Sequence, residues 1–289
     1  MRDFVITTES NSDMPAAFLE ENQVCVIPHY YSVDEEVYGD GKELSIKEFY
    51  DAMRDRKKVA TMASNPAVIL DKFTEIAKSG KDILHISFSS ALSGGCGNIM
   101  SGANEVMEQF PETKINVVDT LSVSLAEGIL IKAAIDMRAQ GKSLEETTQY
   151  VQSLVPHLCV QFTVDDLNHL YRGGRLSRTT AIVGTLANIK PILYVDDAGK
   201  LVALDKTRGR KKSLNLLVKN MADRLGSFKD KQVFIGIVHG DCEEDANYLA
   251  ELVKKEFGYD NILIQPVGPS IGAHSGPGAI GLLFLGDHR

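Results

Sequence analysis

The chain has 289 residues, more than one compact domain usually holds, so two units with a ligand-sized cleft between them are expected. Its 44% apolar and 24% charged residues describe a folded protein with a sizeable core rather than a disordered one. A formal net charge of -8 excludes a nucleic-acid backbone as the main partner, since such binders carry a basic surface that releases counterions.

Short apolar runs alternate with helical periodicity along the chain, which predicts α/β layers. The opening MRDFVITTES carries charges at positions 2 and 3 and reaches polar Thr7 after four apolar residues, so it predicts a strand at 4–8 and no secretion signal. No run of about 18 apolar residues follows, and a cytoplasmic protein without stable membrane insertion is expected. Further strands are predicted at 24–31, 83–88 and 115–118, and helices at 46–56, 66–79, 98–109, 124–140 and 143–154. Ser45-Ile-Lys-Glu48 and Ser143-Leu-Glu-Glu146 are capping boxes, whose hydroxyl and carboxylate satisfy two orphan amides and so fix two helix starts.

Beyond residue 160 the pattern changes. Residues 189–195 and 201–204 flank Asp196-Asp-Ala-Gly199 as a β-hairpin; a strand at 233–239, a helix at 243–257 and strands at 262–267 and 280–285 follow. The expected division is an N-terminal α/β domain over 1–160 and a C-terminal α/β domain over 161–289. The basic run Lys206, Arg208, Arg210, Lys211 and Lys212 reads as a solvated face or as a docking surface for an acidic partner or phosphate. Cys25, Cys96, Cys159 and Cys242 lie far apart without a C-x-x-C pair, which predicts reduced thiols and no zinc knuckle. Acidic pairs such as Asp165–Asp166 are sequence neighbours that do not face each other, so no metal site and no cofactor are expected.

Four polar, glycine-bearing segments fall where strands should end, which is where open α/β sheets gather ligands. In Ser87-Phe-Ser-Ser-Ala-Leu-Ser-Gly-Gly-Cys-Gly97, Ser93 and the Gly94 amide can hold an anion at a helix N-terminus, or serve as a cap and tight turn. In Ala60-Thr-Met-Ala-Ser-Asn-Pro66, Ser64 or Asn65 is placed to cap a helix with Pro66 in its first turn. Thr61 has no such duty, and its hydroxyl is left for an anion or the strand ladder. Gly268-Pro-Ser-Ile-Gly-Ala-His-Ser-Gly-Pro-Gly278 surrounds His274 with backbone constraints, predicting a fixed loop around a ligand-facing or a structural imidazole. The run from Asp165 to Ser177 reads as a short helix ended by Gly173, with Arg172 and Arg175 complementing its dipole, or Arg175 gripping a carboxylate or phosphate.

Taken in order, these residues resemble the DegV family over the whole chain. Thr8-Glu-Ser-Asn-Ser-Asp13 is similar to its opening D-S-x-x-D element, Leu92-Ser-Gly-Gly95 to its L-S-G-T loop, and Val118-Asp-Thr120 to its V-D-S step. Phe162-Thr-Val-Asp-Asp-Leu167, Arg172-Gly-Gly-Arg175, Lys190-Pro191 and Ala273-His-Ser-Gly-Pro-Gly278 match further segments. Met62, Glu9 and Gly95 depart from the pattern, standing where it has Ser, Asp and Thr. The resemblance implies two α/β domains with a long-chain fatty acid, such as palmitate or a C18 acid, in a tunnel at their junction. It implies no catalytic activity of the protein's own, and in some members a fatty acid kinase as partner, to which the carboxylate is presented for acyl phosphate formation. Carried over, Thr61, Ser93, the Gly94 amide and His274 would bind the carboxylate, most strongly with His274 protonated. Arg175 would meet the phosphate or the kinase, and an alternative register puts Ser64 on the hydroxyl that Met62 lacks.

Two rival readings are an esterase or acyltransferase, in which His274 activates Ser93, and a phosphosugar or nucleotide binder. The first lacks a third residue to orient the histidine and a G-x-S-x-G elbow, and the second lacks a Walker loop or an early G-x-G-x-x-G.

Overall fold

Strands and helices alternate from the start of the chain, as the periodicity predicts. A computed structural model describes residues 2–176 and 188–289. The first half runs β1 (Phe4–Glu9), α1 (Ala16–Glu21), β2 (Cys25–Ile27), β3 (Tyr30–Val33), β4 (Glu36–Tyr38), α2 (Ile46–Arg54), β5 (Val59–Met62), α3 (Pro66–Lys78), β6 (Asp82–Ser87), α4 (Gly95–Gln109), β7 (Ile115–Asp119), α5 (Leu125–Ala139) and α6 (Leu144–Leu154). The second runs β8 (Leu158–Thr163), α7 (Asn168–Arg172), β9 (Ile189–Val195), β10 (Leu201–Arg208), α8 (Arg210–Leu225), β11 (Ile235–His239), α9 (Glu243–Phe257), β12 (Ile262–Pro266), α10 (Pro269–Ser275) and β13 (Ile280–Leu285).

A parallel sheet has the order β2-β1-β6-β7, and a mostly antiparallel one the order β10-β9-β8-β13-β11-β12. A small antiparallel sheet, β4-β3-β5, carries Thr61. Helix α5 joins the two large sheets. Its sequence is apolar on nearly every face, and it packs on β1 and β6 on one side and on β8, β11 and β13 on the other. Leu125, Ile129 and Leu130 share one buried cluster with Ile6 and Leu84 of the parallel sheet and Val160 and Leu283 of the other. Fully burying each such side chain stabilises the fold by about 1.5–3 kcal/mol, so this shared core resists separation of the sheets. Among the described residues no helix is long and apolar enough to cross a membrane, and no cluster of three or more His, Cys, Asp or Glu could hold a metal ion.

Both capping boxes form, and Asn65 rather than Ser64 caps α3 by accepting from the Ala67 N–H at 3.0 Å. Several expectations are revised. The strand expected at 24–31 is two strands in different sheets, because Pro28 has no N–H to continue a ladder. Pro269 at the first helical position and Gly276 beyond the last make α10 a short helix where a loop was expected. The basic run divides: Lys206 and Arg208 belong to β10, while Arg210, Lys211 and Lys212 open α8 against its dipole. Strand β8 pairs in the six-stranded sheet, so the chain changes sheets before Leu158 and the expected boundary at 160 falls inside that strand. Ser177, the end of the fourth polar segment, lies outside the described residues.

Candidate functional site

The parallel strands β1 and β6 end at Glu9 and Ser87, and the segments that follow them converge on a partly open cavity of about 170 Å³. That exceeds the ~150 Å³ of a dry engineered cavity that admits benzene, so it holds an apolar group of several carbons. Its walls are mainly apolar: Phe88, Leu92 and Val123 from the first half, and Val160, Phe162, Leu201, Val238 and Leu283 from the second. Thr61, Ser93, Gly94, Arg175 and His274 all line it, brought from four separate places in the chain.

These five are neighbours. Thr61 Oγ1 on β5 lies 3.0 Å from His274 Nε2 on α10. Arg175 donates from Nε to the Leu92 carbonyl at 3.1 Å, one residue before Ser93, and from its Nη1 to the Gly173 carbonyl. The Ser93 hydroxyl accepts from the Gly95 N–H at 3.1 Å, which leaves its own proton to donate. Gly94 is the N-cap of α4, whose first amides have no intrahelical partners. Burial, and then the charge of Arg175, hold His274 down to about 4. The imidazole is therefore neutral at pH 7, and the positive charge in this corner of the cavity belongs to Arg175.

Ser64 stands apart from the rest of the expected set. It is fully buried and does not line the cavity; its hydroxyl donates to Glu9 Oε1 at 3.2 Å and lies 3.0 Å from His29 Nε2. Glu9 also accepts from Ser87 Oγ at 3.1 Å and the Phe88 N–H at 2.9 Å, with His29 Nε2 at 3.3 Å and His85 Nε2 at 3.6 Å. Burial alone would raise the Glu9 carboxyl, but the hydrogen bonds and charges of His29 and His85 outweigh it and hold the group well below the usual range. On α5, Glu127 goes the other way. Burial and the nearby Glu9 charge push it well above the usual range.

His29 and Asn11, both lining the cavity, were not singled out from the sequence. The available signal for His29 was a histidine set in the apolar run 24–31; Asn11 sat inside a family element without a distinguishing spacing. The Asn11 Oδ1 and the Ser275 Oγ are buried at this wall without a hydrogen-bond partner among the described residues. Such atoms gain when a polar ligand atom or water arrives.

Fold and cavity together define an α/β protein of two joined sheets with an amphipathic internal pocket. The chain belongs to the DegV family: a family model described as "Uncharacterised protein, DegV family" matches residues 3–287. A DegV domain-containing protein of Clostridium perfringens is 38% identical over 291 residues, covering 100% of this chain and 99% of that one. Among solved structures, a DegV family protein of Thermus thermophilus described for fatty acid binding has a TM-score of 0.88 at 26% identity, covering 99% of this chain and 100% of its own. A fatty acid binding DegV family protein of Streptococcus agalactiae has a TM-score of 0.86 at 27% identity, with 100% of both chains covered.

Proposed function

We propose that this protein binds one long-chain fatty acid, such as palmitate or a C18 acid, with its chain in the apolar cavity and its carboxylate among Thr61, Ser93, the Gly94 amide, His274 and Arg175. The observation that carries this reading is the convergence of those five groups on one corner of a cavity whose remaining walls are mainly apolar. Burying an acyl chain is worth about 0.8 kcal/mol per methylene, on the order of 10 kcal/mol gross for a long chain before association costs. A buried carboxylate without partners would offset that gain. Arg175, with hydroxyl and amide donors, supplies the charge and hydrogen bonds that neutral His274 lacks. The fatty acid binding described for the Thermus thermophilus and Streptococcus agalactiae proteins supports the same ligand class.

The protein acts in this reading as a carrier without catalysis of its own, presenting the carboxylate to a fatty acid kinase in the cytoplasm. Four cysteines without disulfides suit a reducing compartment. The Ser93 hydroxyl is engaged by the Gly95 N–H and His274 Nε2 by Thr61, an arrangement that suits head-group binding better than activation of a serine nucleophile. The deciding experiment is mass spectrometry of lipid extracted from the denatured protein, compared between the wild type and Ser93→Ala/His274→Ala. One equivalent of a long-chain fatty acid, depleted in the double variant, is expected; a lipid-free wild type that also takes up no added palmitate would overturn the reading.

A further inference from the structure

Polar side chains at the wall of the apolar cavity differ in what they already hold. Thr61 and His274 meet each other, Arg175 donates to the Leu92 and Gly173 carbonyls, and Ser124 donates to Asp13. Asn11 and Ser275 are only 4% and 7% exposed, and the Asn11 Oδ1 and Ser275 Oγ have no hydrogen-bond partner among the described residues. Both residues line the cavity, whose walls are otherwise mainly apolar. A buried polar atom in this state has given up water without replacing it, so a ligand atom that pairs with it gains more than the same contact would at the surface.

The two residues stand on elements that pack together. Asn11 belongs to the single turn Ser10–Ser12 that follows β1, and Ser275 ends α10, which packs against that turn. Ser275 directly follows His274, and consecutive Cα atoms are about 3.8 Å apart, so its hydroxyl belongs to the head-group end of the cavity. An amide oxygen only accepts, whereas a hydroxyl both donates and accepts. A carboxylate or a ketone, accepting only, could use Ser275 but leaves the Asn11 oxygen unpaired, and a methylene serves neither. An alcohol serves both: its proton goes to Asn11 Oδ1 and its oxygen accepts from Ser275 Oγ.

We infer that the cavity takes an acyl chain hydroxylated near its carboxyl end, a 2- or 3-hydroxy fatty acid, and that Asn11 and Ser275 bind its hydroxyl. This rests on the fatty-acid reading and narrows it to chains that carry an oxygen beside the head group. A hydroxyl on the second or third carbon stays close to the carboxylate, while the rest of the tail reaches the apolar wall of Phe162, Leu201 and Leu283.

Calorimetric titration of the full chain, stripped of lipid, with palmitate, 2-hydroxypalmitate and 3-hydroxypalmitate tests this. The wild type should bind at least one hydroxy acid about tenfold more tightly than palmitate. Ser275→Ala and Asn11→Leu remove the two atoms from separate elements, and each should bring that ratio toward one. Palmitate binding should hold in both, since neither atom has a partner to lose among the described residues. The ratio is read within each variant, so a general loss of folded protein does not move it, and Ser275→Ala, which deletes a single atom, decides the matter if Asn11→Leu does not fold. A wild type that binds palmitate as tightly as both hydroxy acids, or a preference that survives in the variants, overturns the subsite. Equal weakening of palmitate and the hydroxy acids also overturns it and assigns the pair to the carboxylate. A wild type that binds none of the three acids overturns the fatty-acid reading and the subsite with it.

Discussion

Glu9 and Gly95 each depart from the family pattern, and they face each other. A Cβ on Gly95 would lie 3.1 Å from Glu9 Oε1 and 3.4 Å from Ser64 Oγ, so a threonine there would crowd the carboxylate that Glu9 extends one methylene further than an aspartate. Gly95→Thr alone should therefore destabilise the fold by about 1–3 kcal/mol through overpacking. Glu9→Asp alone should cost about 1–3 kcal/mol by withdrawing an acceptor from the Phe88 N–H and Ser87 Oγ. The double variant should recover part of both losses, a coupling of about 0.5–3 kcal/mol in urea unfolding, and simple additivity would show that the two positions do not compensate. At this scale the sequence displayed the residues but not their partners. Thr61 was recognisable as a candidate because it had no local duty, and Ser93 and His274 because they sit in glycine-bearing segments at strand ends, whereas Ser64 has the same chemistry as Ser93 and is spent on Glu9 and His29 behind the wall.

The elements with a local start or stop signal were legible. The two capping boxes mark α2 and α6, and Pro66 behind Asn65 marks α3. Short strands such as β5 carry too few residues for a period, and Gln161 in the middle of β8 breaks its apolar run. The end of α2 was expected at 56 and comes at Arg54, closed by bonds from the Lys57 N–H to the Ala52 carbonyl and from the Arg56 N–H to the Met53 carbonyl, both 3.0 Å. This is a Schellman closure with arginine at the position glycine usually takes, which is why no stop signal was visible. Arg56→Gly should relieve the left-handed strain and stabilise the protein by about 1 kcal/mol, read as a rise in midpoint temperature. A variant that loses stability would mean that the arginine side chain packs usefully in the turn and is not held there at a cost.

Across the whole molecule, the layered α/β character followed from periodicity, but the joining of the sheets did not, because pairing between distant segments leaves no local signature. Asp13 is one such join. It follows β1, accepts from the Gly268 N–H at 2.9 Å just ahead of the helix that carries His274, and accepts from Ser124 Oγ at the start of α5. Burial pushes its carboxyl up to about 7 from 3.8, against the opposing pull of the Ser124 and Gly268 hydrogen bonds. The folded state therefore binds more protons than the unfolded one between those values. The stability it contributes is complete below pH 3.8 and is lost as pH rises through about 7. Asp13→Asn keeps an acceptor for Gly268 and lets the Ser124 hydroxyl reverse its role, without a charge to bury. The variant should match the wild type near pH 4 and exceed it at pH 8 by on the order of 2–4 kcal/mol. Thermal unfolding of both proteins across this range measures the difference, and parallel curves would mean that the buried carboxyl titrates alike in the folded and unfolded chains.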